Sequence, residues 1–155
     1  MFIVTHAAIG AVIAEALPTH PFLAFTLAFL VHFLTDLIPH GDTGLYKGYV
    51  AGTQVKTAYL FVGIDALATV ISVIYLLTKI VFDHRLAITM GIVGGVLPDM
   101  LVAIYEVFRP KWLRWFHRLH FYFHNLISGK IGDLSLQNGF IVEIVVLGAL
   151  IYKLV

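Results

Sequence analysis

Five apolar segments, separated by short polar or proline- and glycine-containing stretches, dominate the chain at residues 2–17, 22–38, 57–80, 86–108 and 140–155. A helix needs about 20 predominantly apolar residues to cross a bilayer, a length that the third and fourth segments reach. The other three are slightly shorter, a mismatch that flanking aromatic residues or local thinning of the bilayer can absorb. The pattern therefore predicts an all-α, polytopic membrane bundle with about five transmembrane helices.

Two of the predicted connections make helical hairpins. Pro18 and Pro21 enclose a tight turn between the first and second segments, because proline ends one helix and is tolerated at the start of the next. The third and fourth segments are joined near residues 83–85 and form a second hairpin. The glycine-rich stretch of residues 41–52 is expected to be a loop.

The two hairpins align with each other without gaps, and the alignment carries His6 onto Asp65 and His40 onto Asp99. Matching helices would run in the same direction, so a duplication would be a parallel repeat about an axis along the membrane normal. Such an axis would bring His6 to face Asp65, and His40 to face Asp99. The alternative is chance similarity between two apolar hairpins of generic composition.

The stretch of residues 109–125 has a different pattern. At helical spacing its side chains sort into a broad aromatic face, a basic face and a narrow face formed by His117, His120 and His124. An aromatic face beside a basic one predicts an amphipathic helix that lies in the membrane interface. The three histidines are then either metal ligands or the polar surface of an anchor helix.

The composition supports a membrane protein. The chain has 155 residues, 60% of them hydrophobic and 12% charged, with a mean hydropathy of +0.94, whereas a soluble domain carries about 25% charged residues. We expect one integral domain over residues 1–155 in the cell membrane, with no nucleic-acid partner. Cysteine is absent, which excludes disulfides and thiolate metal sites. Any bound metal must therefore be held by carboxylates and by some of the eight histidines.

The basic residues predict the orientation in the membrane. If the five segments all cross, Lys79, Arg85 and Lys153 lie opposite the N-terminus, and the other seven of the ten Lys and Arg residues lie on its side. Positive residues concentrate on the cytoplasmic side, so the N-terminus is expected there. The candidate metal ligands then all fall in the cytoplasmic half of the membrane.

Ionisable residues within apolar segments are costly and are usually functional. His32 and Asp36 are four residues apart, so they share a helix face and can bind one ion together; the alternative is a buried hydrogen bond that ties helices together. Histidine with carboxylate suits Zn²⁺, and also Mn²⁺ or Fe²⁺. We expect two or three ions, because the candidate ligands exceed what one ion needs: His6, His32, Asp36, His40, Asp65, Asp99, His117, His120 and His124, with Asp42 beside them.

Clustered metal ions would give this site a hydrolytic chemistry. They activate a bound water and stabilise both the attacking and the leaving oxygen of a phosphoester, and no serine nucleophile constellation is visible in the sequence. Asp36 is the first candidate for a carboxylate that bridges two ions, and Asp99 is the second. Pro39 and Pro98 are expected to break their helices locally and expose the neighbouring ligands; the alternative is an ordinary proline kink.

Five short motifs are informative through their order and number rather than individually: Thr5-His6, His32-Phe33-Leu34-Thr35-Asp36, Leu37-Ile38-Pro39-His40-Gly41-Asp42, Gly95-Val96-Leu97-Pro98-Asp99, and the pair His120 and His124. Together they resemble those of the YdjM-like membrane-bound metal-dependent hydrolases, a family similar to zinc-dependent phospholipase C and to the single-strand nucleases of the same helical fold. The resemblance implies a helical bundle with a His/Asp metal cluster that hydrolyses a phosphate ester. It implies ligand roles for His6, His32, Asp36, Asp99 and one or two of His117, His120 and His124.

Three functions are consistent with these features. The first is a metal-dependent hydrolase that cleaves a phosphoester at the cytoplasmic leaflet, where membrane lipids are candidate substrates and the basic face of residues 109–118 would hold an anionic surface. The second is a metal transporter, which would need polar residues through both leaflets. The opposite side offers only Glu15, His20, Asp83 and His84. The third is a scaffold stapled by metal, without turnover.

Overall fold

The computed structural model describes residues 1–79 and 84–154, and this part of the chain contains helices and no β-strand. Its seven α-helices are Ile3–Glu15 (α1), Pro21–Thr35 (α2), Thr43–Val50 (α3), Val55–Lys79 (α4), Arg85–Phe108 (α5), Arg114–Ile131 (α6) and Leu136–Leu154 (α7). A short 3₁₀ turn, Lys111–Leu113, leads into α6. The predicted all-α fold is confirmed.

Within the described residues, three helices are long and apolar enough to cross a membrane: α4 over Val55–Thr78, α5 and α7. The expectation of five spans is not supported, because α1 has 13 residues and α2 has 15. Both helices are shorter than the apolar segments that contain them: α1 ends before Pro18, and α2 begins at Pro21 and ends before Pro39. The hydrophobic pattern overestimated the spans because it continues through turns that proline imposes.

Two predicted connections also differ. The glycine-rich stretch of residues 41–52 contains α3, which packs against α4, instead of an extended loop. In the predicted turn at residues 83–85, Asp83 lies outside the described residues, and α5 begins at Arg85.

Helix α5 is the centre of the bundle, since both α1 and α2 pack along it. The close approach depends on glycine. A side chain at Gly91 would collide with the backbone of Gly10 in α1, and one at Gly94 would collide with the backbone of Phe25 in α2. Small residues let helix backbones come together where lipid supplies no hydrophobic driving force. This packing brings the histidines of α1 and α2 against the middle of α5.

Pro98 lies inside α5 without ending it, because the helix continues from Arg85 to Phe108. The expected local break is therefore wrong at this position. At the other predicted break, α2 has already ended at Thr35, and Pro39 belongs to the connection that follows. Ligands on that connection are released by the end of a helix rather than by a kink within one.

Helices α4 and α5 meet near their connection and separate towards their other ends. Leu76 of α4 shares a buried apolar cluster with Ala87 and Ile88 of α5 and Leu154 of α7. Elsewhere α4 packs mainly on α1 and α3. A cleft is left between the two candidate spans, and the two predicted hairpins are consequently not equivalent in their packing.

Candidate metal centre

Four side chains from three helices and a helix end converge on one point. They are His32 of α2, Asp36 at the end of α2, Asp99 of α5 and His120 of α6. His32 Nε2 lies 3.2 Å from Asp36 Oδ2 and 3.6 Å from Asp99 Oδ1. His120 Nε2 lies 3.5 Å from Asp36 Oδ2 and 3.8 Å from Asp99 Oδ1. We call these four residues the first group.

The spacing of the first group fits a shared ion. Two ligand atoms that each lie about 2.1 Å from a tetrahedral Zn²⁺ are about 3.4 Å apart, which is the middle of the distances between these atoms. His32 Nε2 and Asp36 Oδ2 are also buried without a hydrogen-bond partner among the described residues. Unpaired buried polar atoms are costly, and a bound cation would satisfy them.

A second group lies close by, formed by His40 and Asp42 on the connection after α2 and by His124 of α6. Asp42 Oδ1 is 3.1 Å from His40 Nε2 and 3.3 Å from His124 Nε2, and the two Nε2 atoms are 3.1 Å apart. Three protein ligands with a further open position are typical of catalytic zinc sites, whereas four protein ligands are typical of structural ones. The two groups therefore differ in the chemistry that they could support.

Hydrogen bonds from the far side of two rings prepare them for a metal. His32 Nδ1 lies 2.8 Å from the carbonyl oxygen of Gly95, and His40 Nδ1 lies 2.8 Å from that of Ile38. A carbonyl oxygen only accepts, so Nδ1 carries the proton in both rings and Nε2 keeps its lone pair. Partners of this kind fix the tautomer and the orientation of metal-binding histidines.

His6 of α1, which belongs to neither group, contacts the first group through Asp36. Its Nε2 is 3.0 Å from Asp36 Oδ1 and 4.0 Å from Asp99 Oδ2. The α-amino group of Met1 is 2.6 Å from the same Asp36 oxygen and 2.9 Å from His40 Nε2. One oxygen of this carboxylate, Oδ2, thus faces the first group, and the other, Oδ1, contacts His6 and the Met1 amino group.

Burial and neighbouring side chains shift the pKa of one residue in each group. Burial lowers the pKa of His120 to about 3, so its ring is neutral. Burial by itself would raise the pKa of Asp42, but the rings of His124 and His40 beside it hold that pKa well below its ordinary value. A neutral imidazole and an ionised carboxylate are the forms that bind metal.

Asp65 is not brought into either group. Its two carboxylate oxygens accept hydrogen bonds from the backbone N–H groups of Ile3 and Val4, at 2.7 and 3.2 Å. The repeat predicted that His6 would face Asp65, and this pair does not form. Asp65 instead satisfies the free N–H groups in the first turn of α1, where a negative charge is favourable.

Glu143 of α7 has the same role and was not singled out from the sequence. It is 2% exposed, and its carboxylate accepts hydrogen bonds from the Phe2 backbone N–H at 3.2 Å and from the Thr5 hydroxyl at 2.6 Å. An acidic residue in the middle of an apolar segment was the available signal. Together, Asp65 and Glu143 fix the start of α1 one turn before His6.

His117 separates from the other two histidines of its predicted face. Its Nε2 lies 2.7 Å from Glu106 Oε1, and the Tyr46 hydroxyl donates to the same oxygen at 3.1 Å. Arg109 pairs with the other oxygen of Glu106 at 2.6 Å. The structure therefore gives His117 a carboxylate partner outside both groups, while His120 and His124 belong to one group each.

Asp133 is a second residue that sequence reasoning did not identify. It accepts hydrogen bonds from the backbone N–H groups of Gly41 and Thr43, at 2.9 and 3.0 Å. These residues flank Asp42, so the connection that carries the second group is fixed by the turn between α6 and α7. The pair predicted by the repeat, His40 facing Asp99, also does not form, because His40 is directed to Asp42 and His124.

Both groups border one cavity of about 430 Å³. Asp36, Asp99 and His120 of the first group and Asp42 and His124 of the second line one part of it. The rest of its lining is largely apolar and comes mainly from α3, α4 and α5. Of the nine metal ligands predicted from the sequence, six belong to the two groups, namely His32, Asp36, His40, Asp99, His120 and His124, and a seventh, His6, contacts Asp36.

Comparison of the chain with models of protein families, with curated proteins and with solved structures found no significant match.

Proposed function

We propose that this chain is a membrane-bound, metal-dependent hydrolase that cleaves a phosphoester bond with metal-activated water. The observation that carries the proposal is the gathering of two buried His/Asp groups, with unsatisfied ligand atoms, at the wall of one cavity. The resemblance to the YdjM-like hydrolases agrees with it. Zn²⁺ is the first candidate, since the ligands are imidazole and carboxylate without thiolate.

The residues would divide the work between the two groups. His32, Asp36, Asp99 and His120 would hold one ion, and His40, Asp42 and His124 would hold a second while leaving a position open towards the cavity. Bound metal would supply an acidified water and would polarise the phosphoryl oxygens. Asp36 would hold the first ion through Oδ2 and would bridge to the second if Oδ1 exchanged the Met1 amino group for that ion, and Asp99 would support it from α5.

The proposed membrane placement has three spanning helices, α4, α5 and α7. The hairpin of α1 and α2 enters from the side of the N-terminus and returns to it, so the assignment of Lys and Arg residues to the two sides is unchanged. That assignment places the metal centre towards the cytoplasmic side. The 3₁₀ turn and α6 expose Trp112, Trp115 and Tyr122, and these aromatic side chains would anchor this end of the bundle near the interface.

Replacement of one carboxylate tests the function. We expect Asp36→Asn to lose metal and to lower hydrolysis of bis(p-nitrophenyl) phosphate at least about 100-fold, because the amide cannot balance the charge of two cations. Glu15→Gln, on an exposed residue at the other end of α1, is the control. Metal is measured by elemental analysis, and turnover is measured with and without a chelator.

Two outcomes would contradict the proposal. If Asp36→Asn keeps its full metal content and activity, Asp36 is a structural partner of His32 and the catalytic interpretation is wrong. If the wild type binds metal that Asp36→Asn loses but hydrolyses no phosphoester, the scaffold stapled by metal is favoured instead.

A further inference from the structure

The cavity beside the metal groups has two chemically different parts. Its polar lining includes carboxylates and imidazoles of both groups, together with Asp65 and Glu106. Its apolar part lies between α4 and α5 and is lined by Val62, Gly63, Ala66, Val102 and Ala103. Since the lining is largely apolar, a small hydrophilic phosphodiester would leave most of it without a suitable partner.

The apolar part is open to the outside between two helices. Gly63 and Ala66 on α4 and Ala103 on α5 are exposed although they line the cavity. A Cβ atom placed on Gly63 would meet nothing within 4 Å. Because α4 and α5 are both candidate membrane spans, the surroundings at this opening are lipid rather than water.

The metal groups lie below the end of the membrane-spanning helices. Asp99 is followed by the rest of α5 as far as Phe108, which at 1.5 Å per residue places it about 13 Å before the end of the helix. A substrate that stays in water would have to descend this distance. A molecule already in the bilayer could enter through the side of the cleft.

We propose that the substrate is a lipid phosphoester that enters laterally between α4 and α5. Its phosphoester group lies at the two metal groups, and a hydrocarbon chain lies in the apolar part of the cavity against Gly63, Ala66 and Ala103. The proposal rests on the proposed function. It commits to a lipid as the substrate and adds the site for the hydrocarbon chain and the route of entry. The cavity of about 430 Å³ is within the usual size range of pockets for small organic ligands.

Two matched glycine substitutions test the chain site. Gly63 and Gly148 are both exposed glycines of candidate spanning helices, and an added Cβ would meet nothing within 4 Å at either one. Only Gly63 lines the cavity. Gly63→Trp should fill the cleft, and Gly148→Trp should leave the cleft open. Ala66→Trp, one turn along α4, gives a second variant that fills the cleft.

Two readouts distinguish the outcomes. With metal-loaded full-length protein in detergent, Gly63→Trp should lower kcat/KM for a long-chain phospholipid about 10-fold to 100-fold, and much less for bis(p-nitrophenyl) phosphate. Native mass spectrometry should show phospholipid retained by the wild type and Gly148→Trp and lost from Gly63→Trp. The second readout is independent of turnover, so it decides the chain site even if the wild type hydrolyses neither substrate and the proposed function fails.

Several results would overturn the inference. Equal lipid retention and equal phospholipid hydrolysis in Gly63→Trp, Ala66→Trp and Gly148→Trp would show that the cleft holds no chain. An equal loss of both hydrolytic activities in Gly63→Trp and Ala66→Trp, with metal and lipid retained, would show that the cleft admits the small substrate as well. A dimer of the wild type that Gly63→Trp converts to a monomer would assign the cleft to a second copy of the chain.

Discussion

At the scale of single residues, the side chains of the candidate metal centre are oriented by groups that do not belong to it. The carbonyl oxygens of Gly95 and Ile38 each hold one imidazole in the tautomer with a free Nε2. Packing of α2 against α5 places Gly95 near His32, and the connection after α2 places Ile38 near His40. Residues with no metal-binding chemistry of their own thus decide which nitrogen faces the site.

Replacing one histidine from each group should separate the two metal positions. His120 belongs to the first group and His124 to the second. We expect His120→Ala and His124→Ala each to lower the metal content by about one ion per chain, because each leaves the ligands of the other group in place. Elemental analysis of the purified variants, with His20→Ala as a control on an exposed histidine, measures this loss. Loss of all metal from both variants would show that the groups form one indivisible site.

The sequence identified most of these residues but could not assign their partners. His32 and Asp36 were recognisable because their spacing fixes a shared helix face. His117 and His120 also share a helix face. His117 nevertheless contacts Glu106, whereas His120 belongs to the first group. The sequence indicated Asp65 as a ligand and gave Glu143 no role, although both carboxylates accept hydrogen bonds from the start of α1. Whether a buried carboxylate binds a cation or a helix start depends on contacts between distant segments.

At the scale of elements, the site depends on how closely α1 can approach α5. The stripe of Gly91, Gly94 and Gly95 removes the side chains that would hold the helices apart. The position of His6 relative to Asp99 follows from this contact, since the backbone of His6 itself lies against Gly95. Packing of the helices and assembly of the metal ligands are therefore one event.

Introducing a single methyl group at this contact should disturb both the packing of the helices and the arrangement of the metal ligands. A Cβ atom on Gly91 would collide with the backbone of Gly10, and the backbone cannot move aside as a flexible side chain can. We expect Gly91→Ala to lower the free energy of unfolding by about 1 to 3 kcal/mol and to weaken metal retention. Gly63→Ala, where the methyl group enters open space, should be neutral or slightly stabilising because alanine favours a helix. Thermal unfolding in detergent compares the two; equal stability of both variants would contradict the argument.

The elements also show where the hydrophobic pattern is informative. It located α4 and α5 because their apolar segments are long, and it located α7 although that helix begins at Leu136, before its apolar segment. It failed for α1 and α2, where proline ends the helices while the apolar residues continue. It also missed α3, whose two glycines and polar residues resemble a loop until its packing on α4 is known.

At the scale of the whole molecule, the short hairpin of α1 and α2 covers less of the membrane thickness than the three long helices do. An α-helix of 15 residues such as α2 is about 22 Å long, less than the hydrocarbon thickness of about 30 Å. The short hairpin therefore begins below one surface, at the level of the candidate metal centre, and its turn lies level with the start of α5, because His6 packs on Gly95 and Leu17 joins the cluster of Ala87 and Leu154. The longer α4, α5 and α7 are long enough to reach both surfaces.

This placement can be tested because the chain has no cysteine, so that each introduced cysteine reports one position. Lys47→Cys and Lys130→Cys should react with a membrane-impermeant maleimide from the cytoplasmic side, and Lys153→Cys should react only from the opposite side, since three spans separate the ends of the chain. His20→Cys, in the turn between α1 and α2, should react from the side of Lys153, because Leu17 beside that turn packs with Ala87 at the start of α5 and Leu154 at the end of α7. Labelling of His20→Cys from the cytoplasmic side would contradict this placement of the hairpin. Labelling of Lys130→Cys from the side opposite the cytoplasm would invert the orientation and would place the metal centre in the other leaflet.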